Sequence, residues 1–534
     1  MTQKNNSFVV GAFIIAISNI IVKIIGAVYK IPLDRFILGT EGMGIYSASY
    51  TIYNLLFVIS TAGLPVAISK MIAESTAKND YKTADSIFRI AKKLLLVIGT
   101  LAFLVMFLFS KNFANLISSP DSYLTTMVMA PSLLFVSVAS VYRGYYQGMQ
   151  NMYPTAISEI IEAFCKLVFG LSVAYIIKSR FDTYYLSSAG AISGITIGTL
   201  LSVVFLVLYG KFDKNKKRTM SVSEFQNTKD GESAASILKR LVKIAVPITI
   251  GVSVFTLTSF IDMATVMNTL EDLGYNKDLR ASLYGYLNRA ITLFNMPPTV
   301  INAISISVVP FIAASLALKN KNEAISTTRS ALKITILLGL PCAVGLSVLS
   351  KPVLKLLFDD GGHSFLLTVM GLAVLFVTLV QTSNAILQSW GLVWTPVIHM
   401  LIGGIFKIAI NLILVSQPEI NINGAPIGTL TCYIVVMTLN IAKIKKCAKI
   451  KLGFSDFIIR PVVLGIITSV TAYFMYEFSS AYFVNSVSLF LSIAVTAVVY
   501  FVVLFLVKGI KEEEILLLPK GKLILQKLKN MKIM

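Results

Sequence analysis

Along most of the chain, apolar residues run for about twenty positions before a charge interrupts them, long enough as helix to cross about 30 Å of hydrocarbon. Such segments begin near Phe8, Gly44, Leu94, Tyr123, Thr155, Ser187, Leu241, Leu283, Ile334, Phe365, Thr395, Gly424, Pro461 and Val487. The pattern predicts an all-α polytopic membrane protein with fourteen transmembrane helices. The first run, Phe8 to Val28, is too long for a signal-peptide core and no small-residue cleavage site closes it, so it is read as the first span. An even number of spans places both termini on one side of the membrane.

A shift of 240 residues exposes an internal repeat. Ile72-Ala73, Ser75, Ala77, Ala84, Ser86, Arg89, Ala91, Lys93 and Gly99 meet Ile312-Ala313, Ser315, Ala317, Ala324, Ser326, Arg329, Ala331, Lys333 and Gly339, which is ten identities in 28 ungapped positions. Later, Gly190-Ala191 with Ile197-Gly198-Thr199 echoes Gly424-Ala425 with Ile427-Gly428-Thr429. The repeat is parallel and six spans long, a common transporter plan with the site between two lobes. The expected domains are an N-lobe over 1–210, a basic linker over 211–240 and a C-lobe over 241–450. Spans 13 and 14 over 451–508 and an amphipathic tail over 509–534 lie outside the repeat.

Composition agrees with the pattern: the chain is 56% hydrophobic and 14% charged over 534 residues, where soluble domains carry about 25% charged residues. Its net charge of +21 does not signal nucleic acid, because most of the 47 Lys and Arg sit in alternate loops and tails. The positive-inside rule makes that side the cytoplasm and puts both termini there. The cluster Lys214–Arg218 is either a solvated topogenic run or a contact for anionic lipid. Four scattered cysteines and two histidines, His363 and His399, exclude a disulfide framework and a His-based metal centre.

Candidate chemistry lies at membrane depth. The segment Tyr284 to Phe311 holds Arg289 and the pair Pro297-Pro298, which frees the carbonyls of Leu293 and Phe294. A guanidinium there costs about 2.5–3.5 kcal/mol on insertion scales, so it either ties helices together or lines a wet pathway. Asn288, Asn295 and Asn302 recur every seven residues on the same face. Lys23, Lys166, Arg289 and Lys407 are the bases left after the loops are subtracted, and Glu159, Glu162 and Asp262 are the acids. Asn19, Lys23, Gly26 and Lys30 form one stripe of span 1, and Gly403, Gly404, Lys407 and Asn411 one of span 11. Glu162 and Lys166 have the favourable i,i+4 order for an ion pair. Lys23, Arg289 and Lys407 have no acid within a turn of their own helix, so their charge is available to an anionic ligand. Arg143 ends span 4, where a long side chain snorkels. Asp262 either binds a coupling cation or proton, with Ser259 one turn away, or bridges to Lys23.

No Gly-x-x-x-x-Gly-Lys-Ser/Thr loop is present, so no ATP use is expected; Gly210-Lys211 and Gly521-Lys522 are followed by Phe and Leu. There is no Asp-x-Asp pair and no His-Glu-x-x-His, and Gly361-Gly362-His363 reads as a turn without a partner. An enzyme is therefore not expected.

Three motifs carry a family resemblance: Tyr286-x-Asn288-Arg289 followed by Pro297, Lys23-x-x-Gly26 with Lys30, and Arg143-Gly144-Tyr145-Tyr146-Gln147-Gly148 followed by Pro154-Thr155 and Ser158-Glu159. Along its whole length the chain resembles the multidrug/oligosaccharidyl-lipid/polysaccharide exporter superfamily, within it the MurJ-type lipid II flippases and the stage V sporulation protein B branch. It departs from the flippases in having Asn288 before the arginine and Phe57-Val58 where a basic pair is expected.

The resemblance implies alternating access of two lobes, with spans 13 and 14 forming a groove for a polyprenyl tail. It implies flipping of a polyprenyl-diphosphate-linked sugar, lipid II first, from the cytoplasmic to the outer leaflet of a bacterial cytoplasmic membrane. Arg289, Lys23, Lys30, Lys407 and Lys166 would hold the diphosphate, while Asp262, Glu159 and Glu162 balance charge or bind a coupling ion. Asn19, Asn288, Asn295, Asn302, Arg143, Pro297 and Pro298 would line or gate the cavity. No organic cofactor or metal is expected; coupling would use a sodium ion, a proton or the membrane potential. The expected assembly is a monomer among membrane lipids, beside the cell-wall synthesis machinery. The alternatives are another lipid-linked glycan, a drug or organic-cation exporter of the same superfamily, and a membrane enzyme or scaffold of envelope or spore assembly.

Overall fold

A computed structural model of the chain describes residues 2–78, 80–212, 233–299, 301, 312, 315–316, 318–392, 394–450 and 453–506. The basic linker falls mostly, and the amphipathic tail wholly, outside the described residues. The described residues form helices and turns without a strand, as lipid demands of a chain whose backbone groups must be satisfied within each segment. Eleven stretches among them are long and apolar enough to cross a membrane, the first of 60 residues. Every span start expected from the sequence falls within a helix.

In chain order the helices are α1 (Thr2–Pro32), α2 (Gly39–Thr61), α3 (Leu64–Ala77), α4 (Tyr81–Leu108), α5 (Ser110–Leu116), α6 (Tyr123–Met129), α7 (Pro131–Gly148), α8 (Tyr153–Phe181), α9 (Tyr184–Phe212) and α10 (Ala234–Asp272). They continue as α11 (Lys277–Phe294), α12 (Lys321–Val348), α13 (Ser350–Phe358), α14 (Ser364–Ser389), α15 (Thr395–Val415), α16 (Gly424–Ala448), α17 (Arg460–Ser480) and α18 (Asn485–Leu506). A π-helical turn, Leu33–Leu38, joins α1 to α2.

Local chemistry sets the ends. Asp80 and Asn320 accept the Thr83 and Glu323 amides with their side chains, capping α4 and α12. Prolines 131, 154, 396 and 461 sit in the first turns of α7, α8, α15 and α17, where a missing N–H costs nothing. Pro131 also divides a predicted single span into α6 and α7. The segment expected to run unbroken from Tyr284 is likewise interrupted: α11 stops at Phe294, Asn295 is a turn, and 296–299 is helical again. Pro297 and Pro298 account for this, since neither can donate to the carbonyls a turn earlier.

The chain packs as two compact units, Met1–Gly285 and Tyr286–Met534. In the first, one core gathers Leu64, Ile68, Ile87, Leu95, Tyr145 and Leu241 from α3, α4, α7 and α10. A second gathers Tyr29, Leu33, Tyr46, Met106, Leu133 and Ile192 from α1, α2, α4, α7, α9 and the π-turn. Among the described residues α8 and α9 pack along much of their length, with Gly190, Gly194 and Gly198 recurring every four residues. A β-carbon on Gly194 would lie 2.5 Å from the Gly170 Cα, and one on Gly198 2.6 Å from the Glu162 carbonyl oxygen. Small residues permit such contact where lipid supplies no hydrophobic drive. Polar ties join α10 and α11 to the α4–α6 region: Glu271 bonds Ser118 and pairs with Arg280 at 2.9 Å, and Lys277 pairs with Asp121 at 2.9 Å.

In the second unit α12 packs on α14 and α17, α15 on α16, and α17 on α18. Leu337, Leu340, Val344, Leu464, Tyr500 and Leu504 fill the space where α17 and α18 meet α12.

Candidate functional site

In the first unit the three expected lysines lie on α1 and α8: Lys23 and Lys30 on the former, Lys166 on the latter. With α9 sealing one side of α8, Lys166 reaches the other way. Its Nζ stands 4.9 Å from the centroid of the Tyr29 ring and 5.6 Å from that of Tyr50. Lys23 and Lys30 lie close enough to act electrostatically on Lys166, and Lys23 on Lys30. Asp34 acts on Lys30 and Glu162 on Lys166, so the cluster is only partly balanced. Ser18 fixes α1 to α8 by donating to the Ala156 carbonyl at 3.0 Å, and the Tyr29 hydroxyl donates to the Ala191 carbonyl at 2.9 Å. Asn19 and Lys23 are exposed and Lys30 is half-buried.

Beside these lysines runs an aromatic row on α2. Tyr46, Tyr50, Tyr53 and Phe57 follow i, i+4, i+7, i+11, with successive ring centroids 6.3, 6.0 and 5.8 Å apart. Tyr46 and Tyr53 are buried, whereas Tyr50 is 40% exposed.

Glu162 does not pair with Lys166 as its spacing suggests. Its Oε2 lies 2.8 Å from Nη2 of Arg143, and Arg143 also donates to Ser158 and Ser202 at 3.0 Å each. Arg143 therefore does not snorkel; it is held between α7, α8 and α9. A guanidinium presents a planar fork to three acceptors, which an ammonium on a flexible stem cannot match. Glu159 has a buried Oε2 without a hydrogen-bond partner among the described residues. Asp262 on α10 is buried and lies close enough to Tyr284 of α11 to act on it electrostatically.

In the second unit Arg289 is buried at 6% exposure and has an acid that its own helix does not supply. Nη1 lies 3.3 Å from Oδ2 of Asp360, and the guanidinium carbon stands 5.2 Å from the Tyr286 ring centroid and 5.1 Å from that of Phe358. The helix of Arg289 indeed holds no acid within a turn, but a carboxylate from another segment meets its charge, as in the helix-tying alternative. Asp360 belongs to the turn before α14, where its Oδ1 accepts the Gly362 amide at 2.8 Å. The same turn brings His363 onto Tyr286, with ring centroids 4.2 Å apart, so Gly361-Gly362-His363 is a turn with a partner after all. Burial pushes the Asp360 carboxyl up, but the Gly362 amide, the Tyr286 hydroxyl and Arg289 together bring it below the usual carboxylate range. Burial, assisted by Arg289 and opposed by Asp360, lowers His363 below the usual imidazole range.

Asn288 is buried with its amide nitrogen unpartnered among the described residues, while Asn295 is exposed in the turn. The turn takes these two off a continuous helical face, and Asn302 lies outside the described residues. Pro297 is half-buried and Pro298 buried. Gly403, Gly404, Lys407 and Asn411 are all buried, and their stripe is a packing face. A β-carbon on Gly428 of α16 would stand 2.2 Å from Asn411 Oδ1 and 3.2 Å from the Lys407 carbonyl oxygen.

Asp360 and Tyr50 carry no motif in the sequence, and His363 stands there only as part of a turn. The only signal for Asp360 and His363 was a polar stretch, Asp359-Asp360-Gly361-Gly362-His363, between apolar runs. For Tyr50 it was the spacing of aromatic residues on α2.

Residues 8–316 match the family described as polysaccharide biosynthesis protein. The chain is 25% identical to stage V sporulation protein B of Bacillus subtilis (strain 168) over 535 residues, covering 98% of this chain and 100% of that one. It is 26% identical to the lipid II flippase MurJ of the same organism over 485 residues, covering 86% of each. Its fold is similar to that of a lipid II flippase MurJ in an inward closed conformation, with a TM-score of 0.68 and 16% identity over 92% of this chain and 98% of that one. The relatives and fold neighbours with a stated activity are flippases and transporters, not enzymes. With a matched region covering more than half its length, this multi-pass membrane protein belongs to the polysaccharide biosynthesis protein family.

Proposed function

We propose that this protein flips a polyprenyl-diphosphate-linked saccharide, lipid II being the first candidate, from the cytoplasmic to the outer leaflet of a bacterial cytoplasmic membrane. The observation that carries this reading is the cationic cluster of Lys23, Lys30 and Lys166 on helices of membrane-spanning length. Cations retained at that depth are costly and suit a polyanionic head group. The full-length relation to stage V sporulation protein B and the relation to a named lipid II flippase support the substrate class. In this reading fourteen spans are arranged as two six-helix lobes plus two further helices, with both termini cytoplasmic. Arg289 and the three lysines hold the diphosphate as the lobes alternate. Asp262 takes a sodium ion or proton, or the membrane potential drives the cycle.

The test is lipid II exposure on the outer face of cells depleted of their own flippases and carrying this gene. Restored exposure and growth, lost again with Arg289→Ala in a protein that remains folded and inserted, is the expected result. Failure of a well-inserted protein to rescue removes lipid II and moves the assignment to another polyprenyl-linked glycan. Normal flipping by Arg289→Ala removes the arginine from the site.

A further inference from the structure

We propose that Tyr50 is a stacking platform for the first sugar of the lipid-linked substrate, a role that rests on the function proposed above. Tyr50 is 40% exposed between the buried Tyr46 and Tyr53. Tyr46 stacks almost parallel to it, at 7°, and Tyr53 lies tilted at 43°, so both neighbours restrict its orientation. A partly exposed tyrosine on a membrane helix ordinarily faces lipid, but here Lys166 brings an ammonium to 5.6 Å from the ring centroid. A charged ammonium needs a polar, wetted neighbourhood, and Lys23 and Lys30 act on the same ammonium.

The chemistry of a glycosyl diphosphate requires both features side by side. Its first phosphate is bonded through one oxygen to the anomeric carbon, so a phosphate held by Lys166 leaves the sugar within one ring's width. The face of a tyrosine ring is the negative end of its quadrupole. It attracts the C–H face of a pyranose as it attracts a cation. Asn54, half-buried one turn beyond Tyr50, offers an amide donor and acceptor to the sugar hydroxyls. The lysines then read the charge, and Tyr50 reads whether a sugar is attached.

The experiment measures binding of two probes to the full-length protein in lipid nanodiscs: undecaprenyl diphosphate alone, and the same lipid carrying one N-acetylhexosamine. The expected result is that Tyr50→Leu weakens the glycosylated lipid about tenfold and leaves the bare diphosphate unchanged, while Tyr50→Phe binds both like wild type. Lys166→Met should weaken both. Equal losses for both probes in Tyr50→Leu, or no loss for either, would overturn the platform and leave the ring as a support for Lys166. Wild-type protein that gains nothing from the sugar overturns it as well, with the flippase reading intact. Wild-type protein that binds neither lipid overturns the flippase reading and this site with it. The Tyr50→Phe protein and a melting curve for each variant separate lost stacking from lost folding.

Discussion

Gly44 and Gly285 stand in reciprocal contact at the crossing of α2 and α11. A β-carbon on Gly44 would lie 1.9 Å from the Ala281 carbonyl oxygen, and one on Gly285 1.9 Å from the Thr40 carbonyl oxygen. Each glycine thus admits the backbone of the other's helix, as in a self-complementary interface. Neither backbone can give way as a side chain does. Gly44→Val and Gly285→Val are each expected to force the helices apart, at a cost above the 1–3 kcal/mol typical of overpacking. A fall of several degrees in the melting temperature of detergent-purified protein checks this; unchanged melting would show that the crossing is not made.

Arg143 and Glu162 should be coupled more strongly than Glu162 and Lys166. Glu162→Gln leaves a largely buried guanidinium without its carboxylate and is expected to cost about 3 kcal/mol. A double-mutant cycle on stability separates the pairs. Coupling of Arg143 with Glu162 above that of Lys166 with Glu162 is the expected order, and equal values would mean the ammonium and the guanidinium share the carboxylate.

His363 gives the protein a pH dependence of known sign. Its folded pKa is depressed, so the unfolded chain takes up the proton first as pH falls. The contribution of the neutral, stacked ring is complete above about pH 6.5 and declines as pH drops from there toward the folded pKa. Wild-type protein should lose melting temperature relative to His363→Gln in that window, and parallel curves would show that the ring does not titrate against Tyr286.

Asp360 acts lower on the pH scale. Its carboxyl is held below the usual range, so its contribution is present above about pH 4 and is lost as the carboxylate is protonated in stronger acid. Asp360→Asn should remove that acid-sensitive part of stability. It should also leave Arg289 without its 3.3 Å partner, and the binding of undecaprenyl diphosphate by wild type and variant tells whether Asp360 competes with the ligand. Tighter binding by the variant is expected.

Gly194 positions the cationic face indirectly. Gly194→Val would push α9 off the Gly170 backbone and the Lys166 carbonyl. Loss of flipping together with a lowered melting temperature is expected. Full activity would show that α8 does not need that support.

Much of the chain was legible without its fold. Apolar runs located the helices because lipid leaves a spanning segment no other way to satisfy its backbone, and Pro297 and Pro298 marked the freed carbonyls of Leu293 and Phe294, although not the turn that interrupts the helix there. The lysines of α1 and α8 stood out because charge at that depth is rare. Periodicity also put Glu162 and Lys166 on one face of one helix, but there its reach ended. Which cation takes the carboxylate depended on Arg143 from α7 arriving with a fork that Ser158 and Ser202 also satisfy. In the same way Arg289 looked unaccompanied because its acid lies 71 positions along the chain, in a turn whose glycines carry no apolar period. The sequence determined what had to lie in the membrane, through a one-dimensional cost of transfer. Tertiary packing alone decided which charges meet, because that depends on how closely glycine lets one backbone approach another.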